Sequence, residues 1–180
     1  MKRLLYIVPI VCLWLSACTP NPPEPTPQPD VFDYGSITSY GAYYAETGLP
    51  NNVYMLDVYT HELRLNREGF IEGSGRNLCL SDIFTPPTDS TLQAGVTYVT
   101  DTTGEAGTFL PGQNFDGNIN GAYLLDITDG KVTNITLFQS GTFALHYDGD
   151  TTCIDFELLT TSKKAYKASC RAILPYKKKK

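Results

Sequence analysis

Along the chain, apolar residues fall in short runs broken by Gly, Pro, Asn and Asp. Alternation is clearest over 153–158, where Ile154, Phe156 and Leu158 take turns with Cys153, Asp155 and Glu157. It recurs over 166–174, where Tyr166, Ala168, Cys170 and Ala172 share one side. A two-residue period is the mark of a half-buried strand. Strands are expected over 36–45, 53–60, 77–84, 95–100, 107–110, 121–128, 132–138, 141–147, 152–160 and 165–174. Asp129-Gly130 and Asp148-Gly149 fall between such runs and are tight-turn dipeptides, so the C-terminal half is a meander. No longer stretch carries a convincing helical period. The expected fold is all-β, either an antiparallel up-and-down barrel or a β-sandwich. The barrel is favoured because consecutive hairpins close one without long crossovers.

A small motif recurs as Gly41-Ala42-Tyr43, Gly107-Thr108-Phe109, Gly121-Ala122-Tyr123 and Gly141-Thr142-Phe143, with Gly95-Val96-Thr97-Tyr98 as a looser copy. Within a strand, residues two apart share a face, so the ring covers the gap that the glycine leaves. Core filling in a curved sheet accounts for this pattern most cheaply. The competing account is an aromatic row that stacks on sugar rings.

The start of the chain has a different character. Lys2 and Arg3 precede an apolar run from Leu4 to Leu15, shorter than the roughly 20 residues of a membrane span. The run ends in Leu15-Ser16-Ala17-Cys18. This tetrad resembles the lipobox of bacterial lipoproteins, which implies that residues 1–17 are a signal peptide and that Cys18 is lipidated. Thr19 stands where an Asp would imply inner-membrane retention in that family, so the resemblance implies the outer membrane. Residues 19–30 hold six prolines and are expected to form a stiff polyproline tether. The divisions are then lipidated Cys18 with its tether over 18–30, one β domain over 31–176, and a basic tail over 177–180.

Composition sharpens this frame. At 180 residues, with 42% hydrophobic and 18% charged residues, the chain suits one packed domain rather than disorder. The net charge of −5 is a composite. Without Lys2, Arg3 and the tail Lys177–Lys180, 8 basic residues face 19 acidic ones, a balance of −11. Nucleic acid is therefore not an expected partner. The tail is most simply a solvated terminus, although four lysines also suit anionic lipid headgroups or acidic glycans.

Cys79, Cys153 and Cys170 remain once the signal peptide and Cys18 are set aside. Parity puts Cys153 outside with Asp155 and Glu157, and Cys170 inside, so the two should not bridge. Buried or partly buried free thiols are expected.

Candidate chemistry is sparse. Asp116, Asn118 and Asn120, in Asp116-Gly117-Asn118-Ile119-Asn120-Gly121, fit the opening of a calcium loop, with Ile127 where the closing Glu belongs. A plain turn is favoured, so no cofactor is expected beyond an incidental structural calcium. His61 and His146 lack metal-site spacing. Asp155/Glu157 and Asp148/Asp150 imitate glycosidase pairs, but an outer strand face and a turn favour a solubilising role. Asp89-Ser90-Thr91, Asp101-Thr102-Thr103 and Asp150-Thr151-Thr152 are similar to the O-glycosylation acceptor of Bacteroidetes. Together with lipobox, spacer and Gly-aromatic strands, the chain resembles the small β-rich lipoproteins of that phylum, with a barrel of lipocalin or calycin type as one form. The resemblance implies a non-catalytic protein anchored in the outer membrane through Cys18, facing the periplasm or the cell surface. Its β domain would bind a glycan, a lipid or an envelope protein, with Tyr40, Tyr44, Asn118 and Asn120 as contacts. A structural or assembly role in an envelope complex is the alternative, with a glycan-active hydrolase third.

Overall fold

The computed structural model describes residues 29–179; the expected signal peptide, Cys18 and nearly all of the expected tether lie outside them. Fifteen strands account for most of the described chain. They are β1 (Asp30–Phe32), β2 (Tyr34–Gly41), β3 (Asn52–Tyr59), β4 (Arg64–Leu65), β5 (Ile71–Glu72), β6 (Gly75–Thr85), β7 (Thr97–Thr100) and β8 (Thr108–Phe109). There follow β9 (Gln113–Phe115), β10 (Asn118–Asn120), β11 (Ala122–Thr128), β12 (Lys131–Asp148), β13 (Thr151–Thr160), β14 (Ala165–Ala172) and β15 (Tyr176–Lys178).

The fold is an all-β barrel with added strands. β6, β11, β12, β7 and β8 pair in a closed ring. β11 covers only the first part of β12, from Lys131 to Leu137, and β7 takes its place against Thr142–Ala144. Two wings extend from this ring, β13-β14-β1 from β12 and β3-β2-β15 from β6. The wings are joined, because the extended stretch 30–41 pairs first with β14 and then, after Asp33, with β3.

Local chemistry explains the main turns. Asp129 (φ 50°) and Gly130 (φ 72°) are both left-handed and close the β11–β12 hairpin as a type I′ turn. The β12–β13 hairpin turns one residue later than its sequence suggests. Asp148 pairs with Thr151, and Gly149 (φ 60°) takes the first central place. The expected strands 132–138 and 141–147 are one strand bent at Gln139, where the register shifts. Gly141 permits the bend, since a Cβ there would lie 2.4 Å from the Glu157 carbonyl oxygen.

One core fills the barrel, with Phe32, Leu56, Leu80, Phe109, Phe138, Phe143 and Phe156 at its centre. A smaller cluster of Tyr59, Leu63 and Ile127 lies under the β4–β5 hairpin.

Three expectations need correction at the edges. Asp30, placed in the tether, is the first residue of β1 and pairs with Ala168. Its carboxylate accepts hydrogen bonds from Arg76 at 2.6 Å and Tyr166 at 2.7 Å, which hold it in the sheet. Lys177 and Lys178, placed in a solvated tail, pair with Thr38 and Ser39 in β15. A wholly antiparallel sheet is not observed either. β1 with β14 and β2 with β15 are parallel, because the first two and last two described strands run side by side, and β7 with β8 in mid-chain is parallel too.

The cysteine parity holds in register. Ile154 pairs with Cys170, and Cys153 pairs with Arg171 on the other face. Cys79, Cys153 and Cys170 are free and buried. The outward Cys153 is itself only 5% exposed, in keeping with the expected buried or partly buried thiols, while Asp155 and Glu157 on the same face are exposed.

Candidate functional site

The cleft of interest forms on the outer face of the barrel, where two bulges meet. In β2 the register shifts between Ser39 and Gly41, leaving Tyr40 as the extra residue. In β6 the residues Ser81 and Asp82 oppose the single residue Met55 of β3. Bulges re-aim side chains, and here both aim into one space. Gly41 (φ 62°) then sends the chain into Tyr43, Tyr44 and the short 3-10 turn Ala45–Thr47.

The resulting cavity measures about 290 Å³ and is lined by Tyr40, Tyr43, Tyr44, Tyr123, Asp82 and Asn120, among others. The Tyr40 and Tyr43 rings stand edge to face at 6.1 Å, and Tyr43 and Tyr44 do so at 4.9 Å. Tyr43 is 64% exposed. The Tyr40 hydroxyl donates to the Met55 thioether at 3.7 Å. On the other side, the β9–β10 hairpin brings Ile119 and Asn120 to the rim. Gly121 fastens that hairpin, its N–H donating to the Ser81 hydroxyl at 2.7 Å.

Asp82 is the polar centre. Its backbone is left-handed at φ 52°, a conformation that costs a non-glycine residue about 1 kcal/mol or more. The carboxylate accepts a hydrogen bond from the Tyr44 hydroxyl at 2.9 Å and from the Ser81 hydroxyl at 3.3 Å. Burial, reinforced by the Asp82 carboxylate, pushes the Tyr44 phenol up to about 12. Tyr44 therefore stays a neutral hydroxyl, with its ring held by Asp82 on one side and by Phe84 at 6.0 Å.

Next along the same outer face, Asp57, Cys79 and Tyr123 lie side by side across β3, β6 and β11. Burial raises the Asp57 carboxyl, and its neighbours Cys79 and Asn77 and the charge of Lys177 partly offset that. Burial also raises the Cys79 thiol well above its ordinary value, so it is an unreactive floor residue.

A second hollow of about 370 Å³ lies next to the first, lined by Tyr40, Asn52, Asp89, Ser90, Lys178 and Lys179. Tyr40 belongs to both. The Lys179 ammonium sits 4.7 Å from the Tyr40 ring centroid.

Tyr40, Tyr44 and Asn120 are thus brought together around one cavity. Asn118 is not among the lining residues and sits exposed at the start of β10. Asp116, Asn118 and Asn120, for which a plain turn is favoured over a calcium loop, lie on the β9–β10 hairpin. Asp116 (φ 50°) and Gly117 (φ 90°) form a type I′ turn, and Phe115 pairs with Asn118. The oxygens are strung along an extended ribbon rather than wrapped around a point. Tyr43, Tyr123, Ser81 and Asp82 were missed as site residues. Tyr43 and Tyr123 carried a signal, the Gly-x-aromatic motif, but its side of the sheet was not legible.

The remaining candidates serve elsewhere. His61 is exposed in a turn 3.9 Å from Asp33, and His146 faces outward beside Cys153. Glu157 pairs with Lys167 at 2.6 Å and Asp148 with Arg171 at 2.7 Å, both on the surface. Ser90 and Thr102 are exposed in loops, whereas Thr151 opens β13. In comparison with known proteins, no family model, curated protein or solved structure matches this chain.

Proposed function

We propose that this is a non-catalytic lipoprotein of the outer membrane, anchored through Cys18, whose barrel binds a glycan in the cleft between Tyr40, Tyr44 and Asn120. The observation that carries the reading is the composition of that cleft. Four tyrosine rings line it, and a carboxylate, an amide and a hydroxyl converge among them. Sugar rings present apolar C–H faces and a belt of hydroxyls, so a site for them combines aromatic faces with fixed donors and acceptors. The strained backbone of Asp82 fits the same account, since such strain collects at binding sites.

The position of the tether supports the reading. The chain enters the barrel at Asp30, beside Arg76 and Asp126. Roughly 20 Å of strand separates Arg76 from Asp82 along β6. The end at which the described chain begins and the cleft therefore lie at opposite ends of β6, an arrangement that suits a cleft presented away from the membrane.

The test is a glycan array probed with the chain carrying Cys18→Ser, beside the same chain with Tyr40→Ala and Tyr44→Ala. Selective binding lost on removal of the two rings supports the reading. Binding that survives their loss places the site elsewhere, and silence across the array moves weight to an assembly role.

A further inference from the structure

We propose that the glycan bound here carries an acidic sugar, whose carboxylate is held by Lys178 and Lys179 in the hollow beyond the Tyr40 ring. This rests on the glycan reading of the first cleft and specifies the chemistry of its ligand. Tyr40 walls both hollows, so a chain of two or more pyranose units lies across it with one unit on each side. A single monosaccharide fills only one side.

The charge in the second hollow is built into the sheet. Lys177 and Lys178 pair with Thr38 and Ser39, and the Lys179 N–H donates to the Ser39 carbonyl at 2.9 Å. Strand pairing thus fixes the backbone from which both ammonium groups extend. Neither forms an ion pair with a carboxylate among the described residues, where Arg76, Lys167 and Arg171 do. The opposing acid in this hollow is Asp89, whose carboxylate accepts from the Thr88 hydroxyl at 3.3 Å. Two cations against one acid leave the hollow positive. Asp82, the acid of the first cleft, is occupied by Tyr44 and Ser81.

The rest of the domain narrows the ligand. Outside the lysine tail, the described domain has 8 basic and 18 acidic side chains and repels a continuous polyanion. An isolated acidic unit in a largely neutral glycan suits one small positive hollow. An anionic membrane surface fits less well, because these lysines lie at the pole opposite Asp30, where the tether enters. The Lys179 position over the Tyr40 face adds a reason for stacking and charge recognition to act together, since the same ring contacts both sugar and cation.

The test uses the Cys18→Ser chain titrated with two oligosaccharides that each carry a single uronate among neutral units, one a galacturonate and one a glucuronate, each beside its methyl ester. At least one acid form is expected to bind about five- to tenfold tighter than its ester. Lys178→Gln with Lys179→Gln should erase that preference and leave ester binding intact. Equal affinity for acid and ester overturns the charge assignment while leaving the cleft reading in place. Binding of neutral array glycans with no binding of either uronate does the same. Failure of uronates, esters and array glycans together overturns both. Lysine-dependent binding to phosphatidylglycerol vesicles without uronate binding overturns the proposal in favour of a lipid surface.

Discussion

The barrel interior and the outer cleft are lined by rings from the same short motif, placed on opposite sides of the sheet. In Gly141-Thr142-Phe143 and Gly107-Thr108-Phe109 the ring points inward, where Phe143 and Phe109 pack 5.4 Å apart. In Gly41-Ala42-Tyr43 and Gly121-Ala122-Tyr123 the ring lines the cleft. Inside, every ring is enclosed on all sides, and Phe143 is 1% exposed. Outside, Tyr43 keeps most of its surface in solvent and contacts mainly other tyrosines. A ring that is covered holds the fold, whereas a row of rings left open offers its faces to something else. Among the four exact copies the inner ones carry Phe and the cleft ones Tyr, whereas the looser copy ends in Tyr98, a tyrosine stacked on Phe143 inside the core.

The comparison is broken most sharply by truncating one ring of each kind. Phe143→Ala should cost about 3–5 kcal/mol of stability, from lost burial plus the cavity left behind. Tyr43→Ala should stay within about 0.5 kcal/mol of the parent. Chemical denaturation with matched slopes measures both, and similar losses at the two positions would erase the distinction.

A smaller effect is expected at Asp82. Glycine accepts the left-handed backbone that aspartate holds at φ 52°. Asp82→Gly should therefore leave stability within about 1 kcal/mol of the parent while removing the acceptor that orients Tyr44. Glycan affinity should fall severalfold without a matching loss of fold, as titration and thermal melting together would reveal. A large loss of stability would make Asp82 a structural residue.

The smallest effect concerns the row beside the cleft on the outer face. Asp57 has its carboxyl raised by burial, so its charged form is disfavoured in the folded chain. Below the unfolded pKa, near 4, the group is protonated in both states and costs nothing. As pH rises above that value, the unfolded chain ionises first and stability is lost until the folded pKa is passed. Asp57→Asn should thus match the parent at pH 3.5 and become progressively more stable than it towards pH 7. Melting curves at four or five pH values test this, and an advantage that shrinks with rising pH would contradict it.

Much of the barrel was legible because its information is local. Asp129-Gly130 announces a hairpin, and the alternation of Ile154, Phe156 and Leu158 with charged neighbours sets the inner face of β13. Parity alone placed Cys170 on the inner face, where it pairs with Ile154. What escaped is set by distance or by ambiguity. β15 reads as a charged tail, and only its pairing with β2, far away in sequence, makes it a strand. The same distance hides β1. Asp116-Gly117 suits a hairpin and a calcium loop equally, and the choice depends on whether Phe115 meets Asn118. The cleft was legible in part. Tyr40 and Tyr44 stand out as strand-end rings, yet Asp82 has no signal beyond aspartate's tolerance of the left-handed region. Which copies of the Gly-x-aromatic motif face outward depends on a register that periodicity does not fix.

The central claim is that the open rings at the pole away from Asp30 bind sugar. Its most direct test is calorimetric titration of the strongest array glycan into the Cys18→Ser chain and into the same chain with Tyr44→Ala. The account predicts at least about a tenfold loss of affinity with the melting temperature nearly unchanged. Unchanged affinity in a folded Tyr44→Ala chain would contradict it.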